Sequence, residues 1–373
     1  MPGHDNKSRW LPWLLVAVLL AVALPFYLVL NQEREASPRQ AVAKDKLPET
    51  ADSAGGGRQS SPGSASATGD PDTAPPENRP PPFRREWFAP WGNGPGQMGK
   101  RQPREGAPEG PMAFAVIDEH RSVVLDQVNQ RLVFFSDGRA ARTVALDGDT
   151  YQDLQVDGQG RVWLVDRLAG RKLVLLDEDG KTLARIPLEG EGVGEGSAVT
   201  GLFVYRDGAW VEVEHSRQVH LTDAGGKALE ERPSRPGRLT RDGRLLIAAA
   251  LEGRQAAVIT VRPAGQPAAN PRVLARVPFS LRVLHLLLLD SDLAGNIYLG
   301  AHLAQMSPDP PYGVVAERLE VVVLGPDGGE LDRIELAASA GALEQFRSLL
   351  VTADGAVYQL WFGAEGVELR RVR

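Results

Sequence analysis

The sequence predicts an all-β fold. It is a six-bladed β-propeller of four-stranded antiparallel blades, preceded by an N-terminal transmembrane helix and a disordered linker. Three observations carry this expectation. From Pro111 onward, short runs rich in Val and Leu alternate with polar residues, the period-two pattern of half-buried strands. Asp-Gly pairs punctuate the runs at Asp157-Gly158, Asp179-Gly180, Asp207-Gly208, Asp242-Gly243, Asp327-Gly328 and Asp354-Gly355. Glycine supplies positive φ in such turns at no steric cost, and aspartate tolerates it. The pattern also repeats. AVIDEHRSVVLDQVNQRLVFFSDGR, from Ala115, aligns with QVDGQGRVWLVDRLAGRKLVLLDEDGK, from Gln155, placing Asp126 over Asp166 and Arg131 over Arg171. Fainter copies begin at Val204, Thr240, Leu287 and Leu349. Six units across 111–373 take roughly 44 residues each, a blade length.

The last unit has room for three strands only, since AVYQLWF (356–362) and VELRRVR (367–373) run to the final residue. A closed ring needs a fourth. The segment 83–110, which contains Trp87, Phe88 and Trp91, is therefore expected to lead in to the ring and donate that outer strand, with 111–373 forming the blades.

Ahead of the propeller, residues 1–9 form a short tail and Trp10–Leu30 carries no charge. At about 1.5 Å per residue this run spans about 30 Å, one hydrocarbon core. Ala21-Val22-Ala23 fits a cleavage site, but Leu24–Leu30 stays apolar beyond it, so an uncleaved anchor is expected. Lys7 and Arg9 precede the run, favouring a short inner tail and a propeller outside the cytoplasm, in the periplasm or at the cell surface. Residues 31–82 read as a disordered tether, with Gly55–Gly57, SSPGSASATGD and Pro80–Pro82 and almost no large apolar side chain.

Composition narrows function by exclusion. The chain has 373 residues, a formal charge of −6 and no cysteine. Mild acidity argues against nucleic acid as a partner. Without cysteine there is no disulfide, thiolate zinc site, iron–sulfur cluster or thiol nucleophile. Gly94-x-Gly96-x-x-Gly99 matches a dinucleotide fingerprint literally, but no strand precedes it and no helix pattern follows. The recurring Asp126/Arg131 and Asp166/Arg171 pairs read as architecture, a turn carboxylate facing an arginine. The run Leu284–Leu289 reads as a doubly buried inner strand, too short to span a membrane.

The stretch PMAFAVIDEHRSVVLDQVNQRLVFFSDG (111–138) resembles an NHL repeat through Ala115, Val116, Asp118, Leu125, Asp126, Asn129 and Arg131. The second unit keeps Asp157, Asp166 and Arg171 but has Ala169 where the asparagine would stand. Glu109-Gly110-Pro111 resembles the opening of SMP-30/gluconolactonase propellers. In that family, the resemblance implies, this glutamate ligates a divalent metal in the central channel. The family's site also needs an asparagine and an aspartate at the starts of later blades. Here only Asp153 is a carboxylate at such a position, and no asparagine stands at any of them. A hard cation wants several oxygen ligands, so no metal ligand, cofactor or catalytic residue is assigned.

Two candidate sites remain. Glu109, Gln152, Asp153, Thr200, His285 and Gln345 are placed at blade starts, lining the channel as possible ligand-binding groups. Residues 303–318, LAQMSPDPPYGVVAER, interrupt the fifth unit, and insertions in repeat folds often carry the binding face. Met306, Pro310, Pro311 and Tyr312 would make a partner-binding loop there. The function expected is a membrane-tethered, extracytoplasmic NHL-like propeller acting as a binding or scaffold module for a protein or glycan. The alternative is an SMP-30-like metal-dependent hydrolase, a lactonase using calcium or zinc.

Overall fold

The structure is a computed structural model that describes residues 83–310, 313–340 and 344–373. The anchor expected over Trp10–Leu30 and the tether over 31–82 lie outside the described residues. Among the described residues, no helix is long and apolar enough to cross a membrane.

Among the described residues, twenty-four strands form six four-stranded antiparallel sheets, a six-bladed propeller. The first blade runs outward from the axis through β2 (Ala113–Val116), β3 (Arg121–Asp126), β4 (Arg131–Ser136) and β5 (Arg139–Ala145). The second is β6 (Asp153–Val156), β7 (Val162–Asp166), β8 (Lys172–Leu176) and β9 (Thr182–Pro187). The third is β10 (Val199–Tyr205), β11 (Gly208–Val213), β12 (Arg217–His220) and β13 (Ser234–Pro236). The fourth is β14 (Arg238–Leu239), β15 (Leu245–Leu251), β16 (Ala256–Pro263) and β17 (Arg272–Pro278). The fifth is β18 (Arg282–Ser291), β19 (Ile297–Met306), β20 (Val314–Leu324) and β21 (Glu330–Ala337).

The sixth blade closes the ring from both ends of the described chain. Its inner strands are β22 (Leu349–Val351), β23 (Val357–Phe362) and β24 (Gly366–Arg371), and its outer strand is β1 (Arg84–Pro90). Trp87 pairs with Leu369 across the β1–β24 ladder, beside a bulge at Arg85/Trp87. Its ring stacks on Phe135 of the first blade at 3.9 Å and 7°, and its Nε1 donates to Ser122 Oγ at 2.9 Å. Trp91 donates to the Gly363 carbonyl at 3.0 Å and meets Phe362 edge-on. The lead-in aromatics thus bind the first blade to the last.

Turn chemistry recurs. Asp157, Asp177 and Asp223 each accept two backbone N–H bonds from residues two and four positions on. Gly180 and Gly243 sit at φ +87 and +74, which only glycine enters freely. Hydrophobic clusters fill the seams between blades six and one, one and two, two and three, four and five, and five and six. No such cluster joins blades three and four among the described residues; the face of blade three opposite the Ala209, Val211 and Val213 side carries a polar stack instead. There Arg235 lies 3.8 Å over the Trp210 ring and 4.6 Å over Tyr205, and donates to Gln218 Oε1 at 2.8 Å. His220 stacks on the other side of this group, 4.2 Å from the Trp210 ring.

Three sequence expectations are corrected. In the first blade the β3–β4 ladder pairs Asp126 with Arg131, and their side chains meet at 2.8 Å. In the second, the ladder pairs Asp166 with Lys172. One extra residue in the turn displaces Arg171 into the left-handed region at φ +47, the place Gln130 takes at φ +54 in the first blade. Arg171 therefore points to Glu189 at 3.1 Å, and Asp166 accepts from Thr150 Oγ1 at 2.7 Å instead. The second Asp/Arg pair does not exist.

Leu284–Leu289 does lie on an inner strand, but one only partly buried and broken by register shifts at Val283/His285 and Leu286/Leu288. Residues 303–306 and 314–318, finally, belong to strands and not to a loop. The β19–β20 ladder continues through Leu303↔Arg318 and Ala304↔Glu317 to Met306↔Val314, so the insert lengthens both strands into a hairpin arm.

Candidate functional site

The propeller axis is occupied by arginines. Arg347, just ahead of β22 in the sixth blade, reaches to Asp153 at the head of β6 in the second. Its Nε donates to Asp153 Oδ1 at 2.9 Å and its Nη2 to Oδ2 at 2.6 Å, a two-pronged fit of guanidinium to carboxylate. The carboxylate is fully buried and also accepts the N–H groups of Leu154 and Leu202, each at 2.9 Å. Arg347 Nη2 donates in addition to the Leu202 carbonyl at 3.1 Å. One ion pair therefore joins the second, third and sixth blades. Burial pulls the Arg347 guanidinium toward neutrality, but the charge and hydrogen bonds of Asp153 outweigh it and raise its pKa.

A second pair lies alongside. Arg238, opening β14, binds Glu212 of β11 through two nitrogens, one of them Nη2 to Oε2 at 2.7 Å. Glu212 also accepts from Thr200 Oγ1 at 2.9 Å and faces His215 Nδ1 at 3.2 Å. Burial alone would raise the Glu212 pKa; the Arg238 charge and these hydrogen bonds bring it down to about 2. A third arginine, Arg241, holds Asp290 at 2.8 Å near the end of β18.

A recess opens at the face where the inner strands end, with Arg347, Arg241 and Asp290 in its wall. One lobe, of ≈ 380 Å³, is lined by Gln155, Phe203, Tyr205, Arg241, Asp290 and Leu293, among others. An adjoining lobe of ≈ 670 Å³ shares Gln155, Val156, Arg241, Leu350 and Ala353, and adds Ile117, Asp118 and Asp354. Its wall combines apolar side chains with charged ones of both signs.

The residues expected to line the channel are each engaged by other groups. Asp153 is committed to Arg347. Glu109 is held by Arg101 at 2.5 Å and takes part in backbone bridges with Arg101 and Glu344. Gln152 accepts from the Arg167 N–H at 2.9 Å. Thr200 is bound to Glu212, and Gln345 donates to the Leu360 carbonyl at 3.0 Å. His285 sits on the fifth blade beside His302 at 3.2 Å. Among the described residues no group of three or more His, Asp or Glu is arranged to hold a metal ion. The donors the SMP-30 resemblance implies do not fit one: Glu109 and Asp153 each face an arginine instead of each other.

In the proposed partner loop, Met306 is half-buried and Pro310 exposed, while Pro311 and Tyr312 lie outside the described residues. Sequence reasoning missed Arg238, Arg241 and Arg347. Their only signal was position: Arg238 opens β14, Arg241 follows its end and Arg347 precedes β22.

No family model matches the chain, and no curated protein does. Solved structures similar to it include a virginiamycin B lyase from Staphylococcus aureus, 12% identical, covering 70% of this chain and 94% of that one at a TM-score of 0.41. A member of the DUF4221 family from Bacteroides vulgatus is 12% identical, covering 78% and 97%, at 0.42. BamB from Moraxella catarrhalis is 13% identical, covering 78% and 98%, at 0.35. At these identities and scores the likeness extends to neither family nor activity.

Proposed function

We propose that this chain is an NHL-like propeller that binds a protein partner over the axial recess. The run Trp10–Leu30 holds it at a membrane, with the propeller outside the cytoplasm. The observation that carries this reading is the commitment of the axial carboxylates Asp153 and Glu212 to Arg347 and Arg238. A ring locked in this way leaves a rigid disc whose shaped, open surface is the recess. Its wall mixes Ile117, Val156, Phe203 and Leu350 with Asp118, Arg241 and Asp290, which suits a peptide chain carrying both apolar and charged side chains. The same commitment removes the donor set that a lactonase reading requires.

The test is site-specific photocrosslinking in the native host's membranes. A photoreactive residue at Leu293, 62% exposed on the recess, is compared with one at Leu183, 50% exposed on the outer strand β9. A discrete protein adduct from Leu293 alone, lost on Arg241→Glu, is expected. Equal adducts from both positions, or none from either, overturn the proposal. Protease added to intact spheroplasts should digest the propeller; its survival there would sink the assignment of compartment.

A further inference from the structure

We infer that His285 and His302 form a seat for a divalent transition ion of the imidazole-preferring class, zinc above all, away from the axial recess. The two histidines face each other as direct partners in the β18–β19 ladder, so their side chains share one side of the sheet. His302 Nδ1 lies 3.2 Å from His285 Nε2. Its other nitrogen, Nε2, lies 3.0 Å from Glu317 Oε2 on β20.

The carboxylate decides the chemistry. Glu317 can only accept while ionised, so His302 Nε2 carries the proton and Nδ1 presents a lone pair. That is the arrangement of a ligating imidazole whose far N–H is held by a carboxylate. Two nitrogens bound at about 2.0–2.1 Å to a tetrahedral zinc stand about 3.3 Å apart, the spacing already present. The ring centroids are 4.9 Å apart at 75°, so the rings meet at an angle. Without metal His285 Nε2 donates to His302 Nδ1, and on binding the ion that proton shifts to His285 Nδ1, freeing Nε2 to ligate.

The site also faces water. His285 is exposed, and the Glu317 side chain is 40% exposed. The ion's remaining positions can therefore be filled by water or by a donor from a docked partner. Imidazole suits zinc, copper and nickel, whereas calcium and magnesium demand oxygen. The lengthened β19–β20 hairpin supplies His302 and Glu317 from neighbouring strands.

The experiment uses the full chain in detergent micelles, with His4→Ala as background to remove the histidine near the amino terminus. Zinc chloride is titrated against a chromophoric indicator. One equivalent should bind. His285→Ala and His302→Ala should each weaken binding by at least about tenfold, and Glu317→Gln by about tenfold. His120→Ala, on the first blade, should change nothing. Copper(II) supplies a second readout, an EPR spectrum with hyperfine structure from two imidazole nitrogens that collapses to one in either variant. His285→Gln and His302→Gln keep the bulk of the ring if the alanine variants unfold. Absence of zinc binding in the parent, or binding unchanged in both histidine variants, overturns the inference.

Discussion

Arg347 and Asp153 are 194 positions apart in sequence and share two hydrogen bonds across the propeller axis, the shorter 2.6 Å. Their pairing joins blades that have no ladder in common. It replaces the open metal-binding channel that the opening Glu109-Gly110-Pro111 suggests with a charged lock.

Removing one partner should be costly. Asp153→Ala leaves a buried guanidinium without its counter-charge, and breaking a buried pair from one side costs about 3–5 kcal/mol. The double variant Asp153→Leu/Arg347→Met should recover much of that loss in urea unfolding. Additive losses in the double-mutant cycle would show that the pair is not coupled.

Glu212 predicts an acid-sensitive axis. Its pKa is lowered in the folded state to about 2, against an ordinary glutamate in the unfolded chain. The stabilisation is complete above the unfolded value near 4.5 and is lost as pH falls from there through about 2. With the side chain 2% exposed, the loss is on the order of 3 kcal/mol. Glu212→Gln should flatten the stability profile between those pH values in denaturant titrations; a profile parallel to the parent's would refute the assignment.

Two arginines aligned by sequence should behave differently. Arg131 is bound to buried Asp126 and also donates to the Gln97 carbonyl at 2.7 Å and to Gly94 and Asn93. Arg131→Ala should cost about 3 kcal/mol or more. Arg171, itself exposed, pairs with half-buried Glu189, and Arg171→Ala should stay within about 0.5 kcal/mol. Thermal melts of the two variants decide it, equal shifts being the adverse result.

Ring closure rests on Trp87, which is 4% exposed, stacked on Phe135 and bonded to Ser122. Trp87→Ala should cost about 3–5 kcal/mol, and hydrogen exchange should quicken first in β1 and β24. Exchange that quickens uniformly, with no lead from these strands, would mean that closure is not the weak point.

The sequence by itself determined the all-β class, the number of blades and the turn positions. These depend on local facts: period-two alternation puts one side of each strand in a seam, and Asp-Gly fixes each turn whatever surrounds it. Even the arginine lock left a local trace, since Arg238 and Arg347 stand beside strand starts. Tertiary structure alone decided what those side chains do. Whether Asp153 faces a metal or an arginine depends on a residue four blades later in sequence, and no periodicity encodes that distance. The turn after Asp166 shows the same limit at short range. One extra residue moves Arg171 out of register and puts Lys172 opposite the aspartate, a change that the ladder of hydrogen bonds enforces and that a repeat alignment passes over. The insert at 303–318 reads as a loop because it interrupts the fifth unit of the repeat. It continues two strands because their ladder partners in β19 and β20 hold each other's backbone groups, a pairing fixed across the sheet and not along the chain.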